Sequence, residues 1–247
     1  VFAGVIWCVF LGAKIRKSPF FVTLADEKRE IMIRGALFDM DGTLVDNTDV
    51  HFKAFEIFCN RYGVKDWQEK FAAVIGMGNG DILRALLGNE AVDKWGVEAL
   101  ADEKEAIYRE IYAPTIAPVE GLRELLERLR REGVRCAVGS SGCRTNVDFV
   151  LERCRIGEFF EARVSGDRVS RCKPDPEIYL TAAAELGLEP SDCLVFEDAP
   201  AGIEAADRAG VRRTVALTTS LSAEALRTSS AAYVVRNFAE VTDEMLR

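Results

Sequence analysis

No CxxC pair occurs among the seven cysteines Cys8, Cys59, Cys136, Cys143, Cys154, Cys172 and Cys193. Scattered and odd in number, they argue against a disulfide frame and a zinc site, and they read as reduced thiols of a cytoplasmic protein. Basic blocks are missing too. With 40 acidic residues against 32 basic, the net charge is −8, which makes nucleic acid a poor partner. Histidine is reduced to one copy, His51. Internal repeats and low-complexity linkers are absent. The apolar stretch 1–13 falls short of the roughly 20 residues that a spanning helix needs. Its basic residues, Lys14, Arg16 and Lys17, follow it, the reverse of a secretory signal. No membrane association is expected.

What remains is ordinary globular material, 49% hydrophobic and 29% charged over 247 residues, enough for one large domain or one domain carrying an insert. Residues 1–31 precede Met32 and the first strand; they are expected to be an upstream read-through, a truncated anchor or a packed extension, with read-through favoured. From Met32 onward, buried strands alternate with amphipathic helices. Strands are expected at 33–38, 134–139, 162–165, 193–196, 213–217 and 233–235, and "VEGLRELLERLRREG" places leucines at helical spacing. The pattern predicts an α/β fold, a Rossmann-like parallel sheet with helices on both faces. A βα crossover takes about 30 residues, yet 42–133 separates the first two strands. The excess carries helical patterns such as "HFKAFEIFCNRYG", "DILRALLG" and "EKEAIYREIYA". It predicts an inserted all-helical cap at 50–117, with core segments at 32–49 and 118–247.

The chemistry is concentrated where predicted strands end. In "FDMDGTLVDN", Asp39 and Asp41 emerge together from the first strand, and such paired acids call for a divalent cation or a shared proton. Ser140, Ser141 and Gly142 follow the second strand, with hydroxyl and N–H groups suited to an anionic oxygen. Lys173 stands in "CKPDP", where Asp175 and Pro176 read as the start of a helix, and Glu197 with Asp198 follows "CLVF". Ligands of an open α/β sheet bind at the carboxyl ends of its strands, so these loops should meet in one crevice. Four carboxylates without histidine or cysteine favour Mg²⁺. With a lysine and a hydroxyl they form a clamp for a transferring phosphoryl group. One aspartate can attack phosphorus while the other, its pKa raised by the neighbouring acids, protonates the leaving oxygen. Spacing does not assign which is which.

In order and context, Asp39-Met40-Asp41-Gly42-Thr43, Ser140, Lys173-Pro174 and Glu197-Asp198 resemble the four motifs of the haloacid dehalogenase-like superfamily, in its helical-cap phosphatase and phosphomutase branch. The resemblance implies Asp39 as nucleophile, through an aspartyl-phosphate, and Asp41 as acid and then base. It implies Mg²⁺ held by Asp39, the Asp41 carbonyl and Asp198, with Glu197 assisting, and phosphoryl oxygens held by Ser140 and Lys173. Gly42, Thr43, Ser141 and Gly142 complete the loops around the substrate. His51 lies on the first cap helix and is a candidate substrate contact, as is Asn79 in the glycine-rich cap loop 76–81. β-Phosphoglucomutases carry an arginine where Asn79 stands, so a phosphatase of a small phosphorylated metabolite is expected before a mutase. If mutase activity were found, Lys53, Lys65 or Arg84 would be the phosphate ligand. Asp41 argues against a dehalogenase, and Lys53 is a weak match to the Schiff-base lysine that a phosphonatase would need in its cap. A phosphate-sensing regulatory module is the rival outside enzymes. A monomer or weak homodimer is expected.

Overall fold

The computed structural model describes residues 33–72 and 79–247. Ile33–Arg247 forms one compact unit; the expected extension 1–31 and loop residues 76–78 lie outside the described residues.

Six strands, β1 (Gly35–Phe38), β2 (Arg135–Gly139), β3 (Phe160–Val164), β4 (Cys193–Glu197), β5 (Arg213–Leu217) and β6 (Tyr233–Val235), form one sheet. Its order is β3-β2-β1-β4-β5-β6 and every pairing is parallel. The third strand begins at Phe160, two residues before its expected start, because Phe160 is itself buried and pairs with Cys136. Side chains alternate between two apolar layers, as a pleated strand requires. Phe38, Val138 and Phe196 face the first layer, and Leu37, Ala137 and Val195 the second.

Helices cover both faces. Leu122, Leu125, Leu126 and Leu129 bury one stripe of α6 (Leu122–Arg131), and Val147 and Val150 anchor α7 (Arg144–Arg153) in the same layer. The opposite layer holds Ile178, Tyr179 and Ala182 of α8 (Glu177–Glu185) and Ala205 and Ala206 of α9 (Pro200–Ala209). Helix α8 starts at Glu177, one residue later than expected, and Asp175 caps it by accepting the Glu177 N–H at 3.0 Å. A last helix, α10, spans Ala223–Leu226. Each buried Leu or Ile side chain is worth about 1.5–3 kcal/mol, so these stripes fix which helix face meets the sheet.

Between β1 and α6 the regular elements among the described residues are helices: α1 (Thr48–Arg61), α2 (Trp67–Ala72), α3 (Asn79–Leu87), α4 (Asn89–Trp95) and α5 (Val97–Tyr112). This is the inserted helical cap. Phe55 and Phe58 of α1 and Ile107 and Tyr108 of α5 are buried in it. Asn79, Gly80 and Asp81 begin α3 and do not continue the loop expected at 76–81. The outgoing and returning chains run side by side, with Val119 donating to Leu44 O at 2.9 Å and Val45 bridged to Pro118. We propose that pair as the crossing point between cap and core. The six cysteines among the described residues are free. No helix among the described residues is long and apolar enough to cross a membrane.

Candidate active site

Asp39 follows the central strand β1, and its N–H donates to Phe196 O of β4 at 3.0 Å. That bond ties the first acidic loop to the loop carrying Glu197 and Asp198. Lys173, brought in by the segment between β3 and α8, donates to Asp39 Oδ1 at 2.5 Å and to Glu197 Oε1 at 2.8 Å. Glu197 Oε1 also accepts the Tyr179 hydroxyl at 3.0 Å, while Oε2 accepts the N–H groups of Asp198 and Ala199 at 2.8 and 2.9 Å. All four of its main acceptor positions are therefore engaged. Asp39, Glu197 and Asp198 each present an oxygen within 4.8 Å of the others, and all three are buried.

Three buried acids beside one lysine leave an excess of negative charge. Burial, and then the charges of Glu197, Asp198 and Asp41, push the Asp39 carboxyl well above its ordinary value against the pull of Lys173. Asp198 is pushed up to about 7, by burial first and Glu197 second, despite hydrogen bonds from Ser220 and Thr43. Hard oxygen donors held this close suit a divalent cation.

Asp41 behaves in the opposite way. Burial alone would raise its carboxyl, but the His51 ring, the Asn47 amide and the Lys104 ammonium outweigh burial and hold it below its ordinary value. The expectation of a second aspartate raised by neighbouring acids is corrected here: the raised one is Asp39. The reason lies in the partners of the Asp41 carboxylate. Asn47 Nδ2 donates to Asp41 Oδ1 at 2.6 Å, and His51 Nε2 lies 3.5 Å from the same oxygen. Of Asp41, accordingly, the carboxylate stands outside the cluster formed by Asp39, Glu197 and Asp198.

A cleft of about 490 Å³ brings Asp39, Asp41, Ser140, Ser141, Lys173 and the Glu197-Asp198 pair together. Ser140 accepts the Gly142 N–H on its Oγ at 3.0 Å, which leaves its own O–H free to donate. Gly42, Thr43 and Gly142 are not among the lining residues. Gly42 has φ 80°, and a Cβ there would overlap the Asp198 carboxylate. Thr43 is fully buried and donates to Asp198 Oδ1 at 3.2 Å. These two shape the acidic loop from behind. The side chain of Asn79 lies outside the described residues.

Residues 36–216 match the sequence model of the haloacid dehalogenase-like hydrolases. The chain belongs to the haloacid dehalogenase-like hydrolases. Within that family it is 35% identical over 205 residues to validoxylamine A 7′-phosphate phosphatase of Streptomyces hygroscopicus subsp. limoneus, covering 79% of this chain and 90% of that protein. It is 29% identical to a phosphorylated carbohydrates phosphatase of Thermotoga maritima, over 77% of this chain and 88% of the relative. A crystal structure of a HAD hydrolase, family IA, variant 3, from Entamoeba histolytica superposes with a TM-score of 0.78 at 26% identity, covering 87% of this chain and 97% of that one.

Several residues of this hydrolase's site escape a reading of the sequence. Asn47 sits inside "FDMDGTLVDN", where a polar residue before a helix reads as a cap. Its side chain makes no cap bond; it accepts the Gly42 N–H at 3.1 Å and donates to Asp41 and to the Tyr108 hydroxyl at 2.7 Å. Tyr108 stacks on His51 with ring centroids 4.1 Å apart. Lys104 is buried on α5, paired with Glu105. It is the cap cation that acts on Asp41, whereas Lys53 pairs with Glu56, Arg84 pairs with Asp93, and Lys65 is exposed. Thr219 donates to Gly42 O, and Thr48 and Ser220 share a hydrogen bond of 3.1 Å.

Proposed function

We propose that this chain is a Mg²⁺-dependent phosphatase acting on a small phosphorylated carbohydrate through a phosphoryl group carried on Asp39. The observation that carries the reading is the buried Asp39 carboxylate, held 2.5 Å from the Lys173 ammonium and beside Glu197 and Asp198 in an open cleft. The names of the two phosphatase relatives support the substrate class.

The donor set fits Mg²⁺, which Asp39, Asp198 and the Asp41 carbonyl would hold. When bound, the ion would neutralise the crowded acids and withdraw charge from the phosphoryl oxygens. Lys173 restrains Asp39 and balances charge on a phosphoryl oxygen, and Ser140 donates to another. Glu197 positions Lys173. An Asp39 oxygen forms a bond to phosphorus as the bond from phosphorus to the leaving oxygen breaks. Asp41 gives that oxygen its proton. Its lowered pKa keeps Asp41 ionised before substrate arrives; a phosphoryl dianion seated beside it then raises its proton affinity, so that Asp41 takes up a proton from solvent and hands that proton to the leaving oxygen. In the second step water attacks phosphorus, the bond to Asp39 breaks, and Asp41 takes the proton from the water.

Turnover as a mutase requires the cap to grip a second phosphate, and the neutral Asn79 supplies no cation for it. The test is phosphate release from p-nitrophenyl phosphate and a panel of sugar monophosphates, with Mg²⁺ and with EDTA. Mg²⁺-dependent release is expected, with no more than trace conversion of β-glucose 1-phosphate to glucose 6-phosphate under a bisphosphate primer. Efficient isomerisation would overturn the phosphatase reading. Absence of any turnover would favour a phosphate-sensing module.

A further inference from the structure

Away from the catalytic cleft, basic side chains gather between α5 of the cap and α7 of the core. A second cleft of about 640 Å³ is lined there by Arg109 of α5, by Arg144, Asp148, Glu152 and Arg153 along one face of α7, and by Arg155 just past its end. Asp148 is already engaged by Arg144 at 2.8 Å and by Arg163 at 3.2 Å. The other arginines are not matched in this way. Arg109 donates to the neutral Asn146 amide at 2.7 Å, and Arg153 lies over the Phe149 ring at 5.8 Å. Among the described residues, Arg109, Arg153 and Arg155 have no carboxylate partner. Arg155 also adopts φ 53°, in the left-handed region that helix ends usually give to glycine or asparagine.

In a chain of net charge −8, four guanidiniums facing two carboxylates in one concavity form a local reversal of sign. The excess of two matches the dianion of a phosphate monoester. Planar guanidiniums bind phosphate oxygens in pairs, and a concave space of this volume suits a small molecule. We infer that this cleft is a second anion site, taking a phosphorylated small molecule that bridges the cap helix α5 to the core helix α7. Arg109 would hold the ligand from the cap side, and Arg153 and Arg155 from the core side. This site does not depend on the catalytic reading, because none of the three arginines lines the catalytic cleft.

The test is isothermal titration of 3-phosphoglycerate, as a phosphorylated probe, into enzyme whose catalytic cleft is filled with Mg²⁺ and beryllofluoride. Saturable binding is expected in the wild type. Arg109→Gln alone and the pair Arg153→Gln/Arg155→Gln should each weaken it by roughly tenfold or more, the usual effect of losing a charged hydrogen bond. The core-side pair should keep the wild-type melting point and its turnover without the probe. Glu152→Gln should tighten binding, a change in the opposite direction that no folding defect produces. The site is refuted by absence of saturable binding, by equal affinity in the Arg153/Arg155 variant, or by weaker binding in Glu152→Gln. Unchanged affinity in Arg109→Gln refutes the bridge.

Discussion

Asp198→Asn should make the metal-free protein more stable at pH 8 while removing its response to Mg²⁺. Asp198 is buried, 3% exposed, and titrates near 7 in the folded protein. An unfolded aspartate titrates near 3.9. Because the folded value is the higher one, stability is lost as pH rises from about 4 through 7, and above that the ionised group destabilises the fold by about 4 kcal/mol. Asparagine removes the charge at almost no change in volume. It accepts through one oxygen only, so one of the two donors, Thr43 or Ser220, loses its acceptor at a cost of about 1–2 kcal/mol. The net gain is on the order of 2–3 kcal/mol, or about 4–12 °C in melting point for a domain of this size. Thermal unfolding in EDTA at pH 4 and pH 8 measures it. At pH 4, where Asp198 is protonated in the wild type, the variant should melt lower by about 2–8 °C, the cost of the lost acceptor alone, and at pH 8 it should melt higher. With saturating Mg²⁺ only the wild type should gain, since a ligand stabilises the state that binds it. A variant that melts below the wild type at pH 8 in EDTA would refute the reasoning.

Asp41→Asn should lower kcat/KM, which reports the first step, much more for alkyl than for aryl phosphates, because an acid matters most when the departing oxygen is basic; equal losses in kcat/KM on both would count against its role. In Gly202→Ala the new Cβ would overlap the Glu197 carboxylate and displace it from Lys173, so kcat at saturating Mg²⁺ should fall by roughly 100-fold, as misplacement by about 1 Å can do; a wild-type kcat would contradict this. Lys104→Met should destabilise the protein by about 3 kcal/mol by leaving Glu105 buried without its cation. Lys104→Met/Glu105→Gln should recover much of that loss in urea unfolding, and a double variant no better than the single would show the pair is not an isolated unit.

Strands β5 and β6 end where a reading of apolar runs puts them, and β1, β2 and β4 differ by two residues or fewer, because strands covered on both faces must be apolar throughout. The long gap after β1 likewise exposes the insert, since helical spacing is a local property. Asp39, Glu197 and Asp198 were legible because each sits just beyond a strand, or at its last residue, and such ends converge; Lys173 lies nine residues past β3 and was legible from the "CKPDP" run that leads into α8. The order of the strands was not, for it depends on which edge each crossover takes. Neither were Asn47, Tyr108 and Lys104. Their partners lie in other segments, as with Asn47 and Tyr108, 61 positions apart, and a single polar residue on a helix has no periodicity to reveal it. The direction of the Asp41 shift was misjudged for the same reason: spacing shows that two acids are near each other, but not that one is turned toward His51 and Asn47.

The most direct test of the account is to look for phosphate on Asp39 itself. Enzyme turning over p-nitrophenyl phosphate with Mg²⁺ should be quenched in acid and its peptides mapped by mass spectrometry. A phosphoryl adduct on the peptide containing Asp39, absent with EDTA and absent in Asp39→Asn, is the predicted result. Full phosphatase activity in Asp39→Asn, or steady turnover with the adduct on another residue, would contradict it.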